Sequence, residues 1–189
     1  MIRIILRALN GPILVILLAI GIALQSSLFH SWPLHYFQPD LVLIVVLWCA
    51  LKRGFEEGGI ITLILANISE AHSSVPQGIF LINYMTIYLL MRASSRLILV
   101  PTLFSFAFIT ACASILWKIT AWFVLYLLGS TLASGKHALT ATILGAFIEG
   151  IFAFVFYGWF EKFDWMTFKS IRPEHALEEE LQYRYDEGV

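Results

Sequence analysis

The sequence predicts an all-α integral membrane protein, a six-helix transmembrane bundle with both termini in the cytoplasm. Three observations carry that prediction. Of the 189 residues, 59% are hydrophobic and only 13% charged, with a mean hydropathy of +0.82. A water-soluble globule carries about 25% charged residues, because its surface needs them. The apolar residues gather into six runs, near 11–29, 39–52, 55–71, 76–92, 97–128 and 138–160. A helix needs about 20 residues to cross about 30 Å of hydrocarbon. Finally, the basic residues between these runs fall almost entirely on one side.

Taken in order, the first run follows Arg3 and Arg7, spans Ile13 to Leu24, and carries small Gly21 and Ala23 placed like a cleavage site. That is also the pattern of a secretory leader, but the run is expected to stay as the first membrane anchor. The second, third and fourth runs are short, so neighbouring helices rather than lipid are expected to shield part of each. Pro39 and Asp40 form a turn before the second, where Asp40 can cap a helix beginning at Leu41. Glu56 and Glu57 open the third, where a helix N-terminus favours negative charge. The fifth run is long, with Pro101 near its start marking the interfacial entry. Divided, it would leave halves of about 16 residues with no Gly, Pro or charge pair to turn the chain. One long, tilted helix is therefore expected. Beyond the sixth run, residues 161–189 form an acidic cytoplasmic tail with eight acidic against four basic residues. Within it, Pro173-Glu174 and Glu178-Glu179-Glu180 resemble the start of a short helix, as either a solvated end or a docking segment.

Charge placement sets the orientation. With the N-terminus inside, the cytoplasmic segments hold Arg3, Arg7, Lys52, Arg53, Arg92, Arg96, Lys162, Lys169, Arg172 and Arg184, and the external loops hold only Lys136. Ten against one is the bias that positive-inside insertion produces. A net charge of -1 argues against a nucleic-acid partner and leaves the lipid bilayer as the surrounding medium. The external loops are short and aromatic, as in His30-Ser31-Trp32-Pro33-Leu34-His35-Tyr36-Phe37. Function must therefore reside in the bundle, its short loops or its tail. There is no internal repeat of the kind that builds inverted-repeat transporters.

Charges within membrane spans are costly and need a partner or a role. Lys118 lies about eleven residues before the external end of span five, and Glu149 about as far after the external start of span six. The two are expected to form an intramembrane ion pair between adjacent helices, as a structural clamp or a substrate or proton site, unless one of them faces a partner protein. Asn67 and Glu70 are three apart, hence on one helix face, where they can line an outward cavity or bond a partner. Gly54xxxGly58, Ala141xxxGly145 and Ala146xxxGly150 fit the small-xxx-small rule for close helix packing. Cys49 and Cys112 sit in apolar runs without metal or redox spacing and are expected inside the bundle. His30, His35, His72 and His137 share the external side, but their spacing matches no ligand pattern. No Gly-x-Ser-x-Gly elbow, phosphate loop or His-Glu-x-x-His occurs. No catalytic set, cofactor or metal site is expected.

From Pro39 to about Leu90 the chain resembles the rod shape-determining membrane protein MreD family. The resemblance rests on Pro39-Asp40-Leu41 opening a helix, Lys52-Arg53-Gly54 with Gly58 and Gly59 at a turn, and Glu70 ending a span. It continues through Pro76-Gln77-Gly78 in a short loop and Tyr84 with Tyr88 in the next helix. Glu70 stands where the family more usually has Asp, and Ala66 where it commonly has Gly. The resemblance implies a non-enzymatic scaffold of the bacterial cell-elongation complex. Such a scaffold docks the periplasmic coiled-coil protein MreC, and through it reaches wall synthases and the MreB filament. Pro39, Asp40, Asn67, Glu70, Gly78 and Tyr84 then become partner- or pocket-lining positions.

The alternative belongs to another class. The six-helix layout is similar in outline to the substrate-binding S components of energy-coupling vitamin transporters. Asp40, Asn67, Glu70 and the aromatics of the first loop would line the pocket, and Ala19xxxAla23 would touch a transport partner. A vitamin that saturably raises the melting temperature would separate the two readings.

Overall fold

The computed structural model of the chain describes residues 2–28, 38–73, 76–95, 102–127, 129, 137–167 and 169. Six α-helices follow one another: α1 (Ile2–Leu28), α2 (Leu41–Lys52), α3 (Phe55–Ala71), α4 (Ile79–Ser94), α5 (Leu103–Leu127) and α6 (His137–Met166). Among the described residues there is no strand. Three stretches, Ala8–Ser27, Leu103–Leu127 and Thr142–Met166, are long and apolar enough to cross a membrane. The fifth run is a single helix, as its lack of turn residues requires.

The helices extend well past the apolar runs at two ends. Helix α1 starts at Ile2, nine residues before the run does, and α6 continues through Met166, six residues past position 160. Hydropathy marks where a run loses its apolar character, whereas a helix continues as long as its backbone bonds and its packed face do. The first external loop with His30 and His35, Pro101, Lys136 and residues 170–189 of the tail lie outside the described residues.

Helix α2 is the axis of the bundle. All nine residues from Val42 to Ala50 are buried, so this helix is apolar on every side and enclosed on every side. At 12 residues it is only about 18 Å long, shorter than the roughly 30 Å of a bilayer core. Trp48 anchors it, with its ring 5.9 Å from Phe106 on α5 and 5.4 Å from both Tyr157 and Phe160 on α6. Its ends are matched to the helix dipole. Asp40 caps the N-terminus by accepting from the Leu43 N–H at 3.0 Å. At the C-terminus Arg92 of α4 donates to the carbonyls of Ala50 (3.1 Å) and Arg53 (2.9 Å).

The outer helices present one stripe inward. On α6 it runs Ala146, Glu149, Ala153, Tyr157, Phe160, Asp164 and onto Thr167, at steps of three and four. On α1 it is Asn10, Leu14 and Leu18. The opposite faces expose large apolar side chains such as Ile16, Ile20, Phe123 and Val155. In water that arrangement would be unfavourable, and in lipid it is the expected one. Cys49 is buried, but Cys112 is exposed on such an outer face of α5 rather than inside the bundle.

Candidate functional site

Polar side chains collect at the two ends of α2, separated by the apolar layer around Trp48. At the N-terminal end lies a cavity of about 320 Å³, lined among others by Gln25 of α1, Asp40, Tyr84 of α4, Trp117 and Lys118 of α5, and Glu149 of α6. Asp40 belongs to the framework here. Besides capping α2, it accepts from the Tyr84 hydroxyl at 2.7 Å, and Gln25 donates to the Pro39 carbonyl. Lys118 Nζ stands 3.6 Å from Glu149 Oε1, with polar contacts to Ser114 Oγ (3.3 Å) and the Thr142 carbonyl (3.5 Å). Glu149 Oε2 and Trp117 Nε1 are buried without a hydrogen-bond partner among the described residues. The rings of Phe80, Tyr84 and Trp117 form one wall, with centroids 5.7–5.9 Å apart.

Glu70 does not line this cavity. Its Oε1 accepts from the backbone N–H groups of Gly78 (2.8 Å) and Leu81 (3.1 Å) and so caps α4 from the end of α3. Gly78 makes the cap possible, because its φ of 94° is left-handed backbone that only glycine adopts without strain. Asn67 is exposed and donates back to the Leu63 carbonyl, away from Glu70. His72 is likewise exposed, bonded to the Ile68 carbonyl at the end of its own helix. Among the described residues, no group of His, Cys, Asp and Glu is placed to hold a metal ion.

The small residues divide. A Cβ on Gly58 would lie 2.8 Å from the Tyr88 hydroxyl and 3.1 Å from the Cys49 carbonyl, so α2, α3 and α4 meet there. A Cβ on Gly145 would run into the Lys118 ammonium, and one on Gly150 would lie 3.3 Å from the Ala107 carbonyl oxygen. Gly54 has open space around it and serves as the N-cap of α3 instead of a packing contact.

At the C-terminal end of α2 is a clasp that the sequence reading did not find. Arg53, only 3% exposed, donates to Asp164 Oδ1 of α6 at 2.8 Å, to Glu57 Oε1 at 2.7 Å and to Asn10 of α1. Asp164 also accepts from Asn10 Nδ2 and from Trp48 Nε1, each at 3.1 Å, and Asn10 donates on to Thr167 Oγ1 at 2.5 Å. Lys169 Nζ closes the outer edge on Glu57 Oε2 at 2.5 Å. Asp164 falls in the acidic segment beyond the sixth apolar run, which the sequence presents as tail. Continuing the three-four spacing of Tyr157 and Phe160 would have placed it on the buried stripe.

Compared with known protein families, with curated proteins and with solved structures, the chain matches none of them.

Proposed function

We propose that the chain is a non-enzymatic scaffold of the bacterial cell-elongation (rod shape-determining) complex. In this reading it crosses the cytoplasmic membrane six times with both termini inside. It docks an MreC-like periplasmic coiled-coil protein and so helps to guide lateral peptidoglycan synthesis by wall synthases along the MreB filament.

The observation that carries this reading is the connectedness of the residues on which the family resemblance rests. Asp40 caps α2 and receives Tyr84, and Glu70 caps α4 through Gly78. Tyr88 covers Gly58 and donates to the Phe55 carbonyl at 2.6 Å. These positions, dispersed over 39–90, thus meet in one hydrogen-bonded unit of α2, α3 and α4. Chance similarity of apolar segments would give no reason for these positions to be the ones that join. With the N-terminus inside, the Asp40 and Glu70 end faces the periplasm, where such a partner would lie, and the clasp faces the cytoplasm.

The rival S-component reading draws on the cavity beside α2. An energising ATPase recovered in a mild-detergent pulldown, together with a bound vitamin, would favour it. The scaffold reading expects an MreC-like coiled-coil protein in that pulldown, and rounding of rod-shaped cells when the protein is depleted. Cells that stay rod-shaped after depletion would refute it.

A further inference from the structure

The two ion-pair sites among the described residues are built differently. In the clasp, charged partners meet at 2.5–2.8 Å, the spacing of a charge-assisted hydrogen bond. Lys118 and Glu149 stand at 3.6 Å, and every polar contact shown for Lys118 Nζ is 3.3 Å or longer. Glu149 is only 4% exposed, yet its Oε2 has no partner among the described residues, and neither has the buried Nε1 of Trp117. Leaving such groups unmet costs free energy. A clamp meant only to join α5 to α6 would close.

All three groups line the same cavity. Its other polar residues include Asp40, whose two oxygens are occupied by the Leu43 N–H and the Tyr84 hydroxyl, and Gln25, which is bonded to Pro39. The Asp40 charge is balanced locally by the N-terminus of α2. What remains open among the described residues is one cation, one anion, one indole donor, the unbonded hydroxyl of buried Ser69 and a wall of three aromatic rings, around about 320 Å³. That volume is at the small end of small-molecule sites. An isolated organic cation would face Lys118, and an isolated anion would face Glu149. A ligand bearing one charge of each sign meets both without leaving either unmatched.

We infer that this cavity binds a small zwitterion of the free amino-acid class. Its ammonium group sits on Glu149 Oε2, its carboxylate on Lys118 Nζ and Trp117 Nε1, and its side chain on the Phe80–Tyr84–Trp117 wall. The inference rests on neither functional reading above. A scaffold with an effector pocket satisfies it as well as a transport component does, and the cell-shape test is independent of it.

Calorimetric titration of the full chain in lipid nanodiscs tests it, with each of the twenty standard amino acids as probe. For each amino acid that binds, its decarboxylated amine and its deaminated acid, such as phenethylamine and 3-phenylpropionate for phenylalanine, serve as the matched compounds lacking one charge. Saturable heat is expected from at least one amino acid, with each half-charged analogue at least ten-fold weaker. Glu149→Gln should weaken that binding at least ten-fold. Trp117→Phe keeps the ring and deletes the donor, and should weaken it several-fold; should Glu149→Gln not fold, this variant and the analogues still decide. No saturable heat from any amino acid, as water-filled space would give, overturns the inference. So does an amine that binds as tightly without its carboxylate, or unchanged affinity in both variants.

Discussion

Asp164 gathers donors from α1, α2 and the α2–α3 turn, so a single carboxylate ties together elements distant along the chain. Removing one partner of a buried pair costs more than the pair contributes, because it strands the other charge. Asp164→Asn is therefore expected to lower stability by about 3 kcal/mol in detergent unfolding, since Glu57 still partly satisfies Arg53. Replacing both partners, as Arg53→Met with Asp164→Leu, should recover most of that loss; a double variant as weak as the single one would contradict this account. Asn83 makes the opposite case. It is fully buried on α4 with neither side-chain polar atom bonded among the described residues. Asn83→Leu, of similar volume, should raise the unfolding free energy by about 1 kcal/mol, and a lower value would point to a partner that the change removes. The sequence revealed Asp40 as a cap because a cap is local, needing only Pro39-Asp40-Leu41. It did not reveal the Asp164–Arg53 pair, because the two residues are 111 apart in the chain and nothing near either names the other.

Among the elements, the short second, third and fourth runs correspond to α2, α3 and α4 within three residues at each end. Enclosure by the other helices accounts for the shortness of α2 alone, since α3 and α4 expose large apolar side chains such as Ile60 and Leu89. The small-residue rule was less discriminating. It marked Gly54 and Gly58 equally, since spacing alone does not say which of two glycines faces a neighbour. In the structure only Gly58 does. Gly58→Ala is expected to cost about 1–3 kcal/mol by forcing Tyr88 aside. Gly54→Ala, with nothing near its Cβ, should cost no more than about 1 kcal/mol through its N-cap position. Equal losses in the same unfolding assay would show that the α2–α3–α4 contact is looser than described.

For the molecule as a whole, α1, α2 and α6 each contribute polar groups to both ends. Gln25, Asp40 and Glu149 meet at the cavity; Asn10, Trp48 and Asp164 meet at the clasp. On α6 the two sites are 15 residues apart, about 22 Å of helix. The proposed orientation puts them on opposite sides of the membrane and can be checked directly. In a chain with Cys49→Ala and Cys112→Ala, exposed His72→Cys should react with an impermeant maleimide in spheroplasts with intact inner membranes. Exposed Lys162→Cys should react only after that membrane is opened. The reverse pattern would invert the topology. The clasp also sets a schedule for biogenesis. Ribosomes add about 5–20 residues per second, so Arg53 waits on the order of ten seconds for Asp164 to be synthesised. During that interval the guanidinium must stay hydrated at the lipid boundary, and the newborn bundle can latch shut only when its last helix arrives.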